Sequence, residues 1–266
     1  MRFSTTFLIL ANAMLTAACG GAIDGEAELE ESVSTEQAAL TIPFFTSSDD
    51  SWDDRFFVSW HGCPPATPYV VGLGFEGLNS GINDAYFSRT SSDQWDTIVT
   101  VRTPSRIEGL GVQAICSNAK PIRRTVTASD GDATSTCLST EVAIGGGATC
   151  DNTDAFLYRT RPNPDVAEST PTGWRAACSQ GAVTTYAMCR DKNDQFDFTD
   201  CKTERVNGTG NVTVLCDSGY QAISGGGFCG NGALEEVMTK ELFGGIHAEC
   251  RSSTAAIHGY AVCCRM

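Results

Sequence analysis

The chain has 266 residues, with 32 acidic against 18 basic side chains and a formal net charge of −14. A pI near 4.5 and the lack of any Lys/Arg cluster exclude a protein built to grip a nucleic-acid backbone, which needs a basic footprint. An apolar share of 41% suffices for a packed core. Its 13 cysteines show no CxxC pair, which favours disulfides over metal thiolates and over an ordinary cytosolic enzyme.

Met1-Arg2 precedes a short apolar run over residues 7–18, too short for a bilayer span and suited to a signal-peptide core. The run ends in Leu15-Thr16-Ala17-Ala18-Cys19-Gly20, which resembles a bacterial lipobox. That resemblance implies that residues 1–18 are removed and that Cys19 carries the lipid, anchoring the protein at the outer membrane or cell surface. The alternative is an ordinary secretory signal cut after Ala13, giving a secreted protein. Residues 19–40 then form a tether holding Asp24, Glu26, Glu28, Glu30, Glu31 and Glu36 and no basic residue, a composition that cannot build a core.

Residues 41–266 read as one β domain of three copies, at about 63–116, 137–189 and 216–264. Copies two and three open with Cys137 and Cys216, each followed 13 residues later by Cys150 and Cys229. They share Gly-Gly-Gly runs at 145–147 and 225–227, central Cys178 and Cys250, and Tyr-Ala-x-Cys closings at Cys189 and Cys263. In copy one, Asp84-Ala85-Tyr86-Phe87-Ser88-Arg89-Thr90 matches Asp154-Ala155-Phe156-Leu157-Tyr158-Arg159-Thr160, with Trp95 aligned to Trp174 and Val99 to Cys178. The repeat then predicts the pairs Cys63–Cys116, Cys137–Cys189, Cys216–Cys263, Cys150–Cys178 and Cys229–Cys250, leaving Cys201–Cys264 as the sixth.

Four short strands are expected per copy: 69–75, 85–89, 97–102 and 107–116; 140–144, 155–160, 174–178 and 183–189; 220–223, 234–239, 246–250 and 256–263. Residues 233–242 are ambiguous between helix and strand, and residues 54–60 form an added strand expected to pair with the last copy. The glycine runs fall at a strand end, permitting positive φ or a close backbone approach.

Three disulfide-stapled four-stranded copies imply an all-β, β-prism-like body with pseudo-threefold symmetry. The layout is similar to vitelline membrane outer layer protein I, whose Cys-x-x-Gly openings resemble Cys216-Asp-Ser-Gly219. It also resembles Cys-framed Gly-Gly-Gly repeats of bacterial exported lipoproteins, for which no activity is implied. A trefoil or a three-bladed array is the alternative architecture.

Chemistry is sparse. The three histidines, His61, His247 and His258, belong to no HExxH motif, and no Gly-x-Ser-x-Gly elbow exists. Asp191, Asp194, Asp197 and Asp200 recur every third residue beside Cys201, a candidate calcium cradle without EF-hand order. No other cofactor is implied. Trp60 with His61 before a turn, Trp95 and Trp174 are candidates for stacking on sugar rings, although equivalent repeat positions for the last two also suit packing. The composite expectation is a non-enzymatic surface lipoprotein that binds a glycan or envelope polymer. An exported hydrolase acting on an extracellular polymer is the alternative, with Glu76, Asp93 and Asp96 beside His61 as its acids.

Overall fold

The computed structural model describes residues 40–41, 44–46, 51–53, 56–77, 82, 84–88, 98–103, 110–193, 199–240 and 244–265. Among these there is no helix. An N-terminal set comes first: β1 (Leu40–Thr41), β2 (Phe44–Thr46), β3 (Ser51–Asp53) and β4 (Phe56–Gly62). Copy one follows as β5 (Tyr69–Gly77), β6 (Asp84–Ser88), β7 (Ile98–Thr103) and β8 (Leu110–Ser117). Two strands, β9 (Ile122–Ala128) and β10 (Asp132–Thr136), lead to copy two: β11 (Glu141–Cys150), β12 (Leu157–Asn163), β13 (Gly173–Cys178) and β14 (Val183–Asp191). Two more, β15 (Thr199–Thr209) and β16 (Asn211–Leu215), lead to copy three: β17 (Gln221–Cys229), β18 (Leu234–Lys240), β19 (Gly245–Cys250) and β20 (Ala256–Arg265).

One pairing scheme recurs in all three copies. Within a copy the first strand pairs with the fourth, as β5–β8, β11–β14 and β17–β20, and the second with the third. The second strand also pairs with the first strand of another copy: β6 with β11, β12 with β17, and β18 with β5. The strands before each copy add to its fourth and third strands: β1 and β2 on β8 with β4 on β7, β9 on β14 with β10 on β13, and β15 on β20 with β16 on β19. Among the described residues this gives a thirteen-stranded and a seven-stranded sheet. The larger one is two six-strand sets joined at the β15–β16 turn, with β2 beside β8.

This register corrects several expectations. The two stretches between copies hold strands: β9 and β10 turn through Gly131 at φ 76° into different sheets, and β15 and β16 meet only at their turn. Residues 233–242 contain β18, and β4 pairs with β7 of the first copy, not with the last. The glycine runs lie inside β11 and β17 rather than at strand ends. Of the two reasons offered for them, close approach holds. The Gly147 Cα faces the Ala85 carbonyl, and Gly226 and Gly74 face those of Thr160 and Val237, where the exchanged strand of another copy crosses and a Cβ would collide with backbone. The aligned heptapeptides are not structural equivalents. Strand pairing matches Ile82, Asp84 and Ala85 to Leu157, Arg159 and Thr160, five residues away from the sequence match. Trp174 and Cys178 therefore correspond to Val99 and Thr103, not to Trp95 and Val99.

The core sits between the sheets. Val71, Ile144 and Ile223 at equivalent positions are fully buried, as are Ile82, Leu157 and Leu234. The last three are linked by backbone bonds, Leu157 N to Ile82 O at 2.7 Å and Ile82 N to Leu234 O at 3.2 Å. All six expected disulfides are present: Cys63–Cys116, Cys137–Cys189, Cys150–Cys178, Cys201–Cys264, Cys216–Cys263 and Cys229–Cys250.

Glu141 fastens β9 to copy two through Arg124. Its carboxylate accepts from Arg124 Nε at 3.1 Å and from the Leu138 amide at 2.8 Å, and only 4% of its side chain is exposed. The Arg124 hydrogen bond holds its pKa below the ordinary 4.5 against the opposing effect of burial. The unfolded chain therefore takes up this proton first as pH falls. The contribution is complete above 4.5 and is lost as pH falls through the lowered folded value. Thermal melts between about pH 6 and about pH 3 are expected to show a shallower acid loss of Tm in Glu141→Gln than in the wild type; parallel curves would contradict this role.

Candidate binding site

The richest polar surface lies on the outer face of β13, β12, β17, β20 and β15. Strand alternation builds it, because residues two apart share a face. Arg159 and Arg161 point outward from β12, while Thr160 between them points inward to accept the Trp174 Nε1–H bond at 2.8 Å. Cross-strand register then sets Arg159 opposite Phe228, Phe228 opposite His258, and His258 opposite Asn207. The irregularity between Leu157 and Arg159 brings Tyr158 to the same group.

Two carboxylates organise four arginines here. Asp132, from β10, takes Arg175 Nε at 2.9 Å and NH2 at 2.7 Å, and Arg159 NH1 at 2.8 Å. Burial pushes the Asp132 carboxyl up, but Arg175 and Arg159 outweigh it and hold it below the usual range. Asp165 takes Arg205 NH1 at 3.1 Å and lies 3.3 Å from Arg161 NH2. Arg161 is 5% exposed, and its guanidinium stands 5.4 Å from the ring centre of the fully buried Tyr260. Burial, then the Asp165 hydrogen bond, raises the Tyr260 pKa. The loop after β12 holds this cover in place: Glu168 N donates to Thr203 O and Thr203 N to Ser169 O, both at 2.8 Å.

The outer part remains accessible. The Arg159 guanidinium sits 5.1 Å from the half-buried Phe228 ring, and His258 meets that ring edge-on at 5.4 Å. His258 Nδ1 accepts from Arg205 NH2 at 2.9 Å. Burial, and then the Arg205 charge, lowers the His258 pKa, which keeps the imidazole neutral with its proton on Nε2. The cluster thus sets four guanidiniums against two carboxylates on a chain whose formal charge is −14. Guanidiniums present forked donors to carboxylate, sulfate or phosphate, and aromatic faces stack on sugar rings.

A second concavity, of about 430 Å³, lies at the strand ends between copies two and three and is lined by Phe156, Gly232, Ala233, Arg251 and Ser252. The Cys150–Cys178 and Cys229–Cys250 bridges frame it.

Trp174 is a correction. It is fully buried and offers no face to a ligand, because it packs over Gly146, whose missing Cβ leaves room for the indole. Trp60 and His61 lie in β4 opposite Thr100 and Val99, and their side chains lie outside the described residues, as do Trp95 and Cys19. Of the aspartate quartet, Asp194 and Asp197 lie outside the described residues. Asp191 is exposed and accepts the Asn193 amide at 2.8 Å, while Asp200 accepts the Tyr220 hydroxyl and lies 3.5 Å from Arg265 Nε. Three other carboxylates, Glu168, Glu204 and Asp217, converge on the Lys202 ammonium, which supplies their cation. Glu236, His247 and Glu249 gather on β18 and β19 with their ligand atoms within 4.8 Å of one another.

Sequence reasoning passed over Arg159, Arg161, Arg175 and Phe228 in favour of tryptophans. The alternation Arg159-Thr160-Arg161 was the available signal. The chain matches no protein-family model, and no curated protein is similar to it in sequence.

Proposed function

We propose that this protein is an exported, lipid-anchored, non-enzymatic binding module that holds an acidic saccharide of an envelope or matrix polymer on its arginine–aromatic face. The observation carrying this reading is the arrangement of Arg159 and Arg175, fixed by Asp132 and set beside the half-buried Phe228 ring. Preorganised guanidiniums lose little freedom on binding, which favours affinity for an anionic group. The overall negative charge opposes long-range attraction of a polyanion, so recognition is local and salt-sensitive.

Six disulfides suit an oxidising, extracytoplasmic compartment. The acidic segment at 19–40, lipidated through Cys19, would hold the module away from the membrane. The recurring exchange of second strands between copies supports a β-prism-like body with pseudo-threefold symmetry. Its three faces have diverged: Arg159 at the copy-two position corresponds to Asp84 and Glu236 in the others.

Binding of oxidised protein to polygalacturonate, to purified envelope polymer and to neutral amylose tests the reading. The acidic polymers are expected to bind, weakening with salt, and Arg159→Ala is expected to lose about 10-fold or more in affinity. Equal retention on amylose, or an unaffected Arg159→Ala protein, would overturn it.

A further inference from the structure

We infer that the β18–β19 face holds a divalent transition-metal ion of the Zn²⁺ class, ligated by Glu236, His247 and Glu249. Register places these groups together: Glu236 is opposite Glu249, and His247 is two residues before Glu249 on the same face. Their ligand atoms all lie within 4.8 Å of one another, and His247 Nε2 is 3.6 Å from Glu249 Oε2. Two donors at about 2.1 Å from a tetrahedral zinc stand about 3.4 Å apart, close to the 3.6 Å of the His247–Glu249 pair. The other imidazole nitrogen, Nδ1, is 3.1 Å from Thr213 Oγ1, which orients the ring as an outer partner does for a metal-bound histidine.

Comparison between copies gives a second and independent reason. Pairing matches Glu236, His247 and Asn211 of copy three to Arg159, Arg175 and Asp132 of copy two. In copy two this patch carries its own complement, with one carboxylate between two guanidiniums. Copy three has the carboxylate of Glu236 in place of Arg159, the imidazole of His247 in place of Arg175 and a neutral Asn211 in place of the central aspartate, and it adds Glu249 where copy two has Ala177. Two carboxylates now stand directly opposite each other, an arrangement that repels. Glu76 is opposite Glu236 on the other side, and its carboxylate leans towards β8, where Oε2 is 3.3 Å from the position a Gly111 Cβ would take. Glu236 is 8% exposed, and the side chains of His247 and Glu249 are 17% and 38% exposed. The site therefore opens from the sheet towards solvent and leaves a coordination position outward. An imidazole ligand selects zinc-like ions over calcium, which prefers an all-oxygen shell.

The test is equilibrium dialysis of the oxidised chain against Zn²⁺, Mn²⁺ and Ca²⁺, with bound metal counted by mass spectrometry and no saccharide present. One Zn²⁺ per chain is expected, with little Ca²⁺. His247→Ala and the solvent-side Glu249→Gln are expected to abolish stoichiometric zinc, and Thr213→Val to weaken it about 10-fold. His258→Ala is expected to leave zinc binding unchanged. Circular dichroism and non-reducing peptide maps confirm that each variant is folded. Absence of stoichiometric zinc would overturn the site, leaving only the 3.6 Å contact between His247 and Glu249. Zinc retained in both His247→Ala and Glu249→Gln would overturn it as well. Because saccharide binding is not measured, neither outcome bears on the arginine–aromatic face.

Discussion

Trp174→Ala is expected to destabilise the protein by about 3–5 kcal/mol, the range for deleting a large fully buried aromatic side chain. The indole is wholly enclosed, donates a hydrogen bond to Thr160 Oγ1 at 2.8 Å, and fills the space above Gly146. The substitution empties that space and leaves a buried hydroxyl without its donor. For a domain of this size the loss corresponds to a fall in Tm of about 10 °C. The repeat supplies a rescue. Copy three pairs Gly225 with Ile246, and copy one has Leu73 and Val99 at the equivalent positions. The three copies thus trade bulk between the first strand and the third. Gly146→Leu combined with Trp174→Val imitates copy one, and the double variant is expected to be more stable than the sum of the single changes by about 1 kcal/mol or more. Denaturant unfolding of the four proteins measures this, and strict additivity would sink the equivalence.

Replacing Cys137 and Cys189 together by Ala is expected to cost about 4 kcal/mol in the chain-entropy account of a 52-residue separation. The shorter Cys229–Cys250 bridge, with a separation of 21, should cost about 0.8 kcal/mol less in the same account. The geometry adds a reason to expect a full effect. Cys189 lies where β14 meets both β11 and β9, and Cys137 directly follows β10, so the bridge fixes both strands to the copy they precede. Paired Cys→Ala variants compared by denaturant unfolding test this, and a cost near zero for Cys137/Cys189 would show that the strand pairing alone holds that junction.

The cysteine framework was legible because sulfur spacing survives divergence: Cys137, Cys150, Cys178 and Cys189 find counterparts at Cys216, Cys229, Cys250 and Cys263 without any knowledge of the sheets. The alignment of copy one was not. The chance heptapeptide similarity at residues 84–90 outweighed the true correspondence of Ile82 with Leu157 and Leu234, three apolar residues that share only burial. Strands β9 and β10 were missed because half their side chains are solvated and polar, although Asp130-Gly131 was the turn signal between them. Glycine inside β11 contradicts strand propensity, and it is there because backbone from another copy comes too close for a Cβ. The arginine–aromatic face was hidden for a topological reason. Arg159 and Phe228 are distant in sequence and meet only because β12 leaves its own copy to pair with β17.

The most direct measurement is a backbone NMR titration of the oxidised protein with an acidic oligosaccharide at low and moderate salt. Saturable shifts are expected to centre on Arg159, Arg175, Phe228 and His258, to weaken as salt rises, and to vanish in Arg159→Ala. Shifts confined to the concavity at Phe156 and Arg251, or an undiminished titration in Arg159→Ala, would contradict a saccharide site on that sheet face.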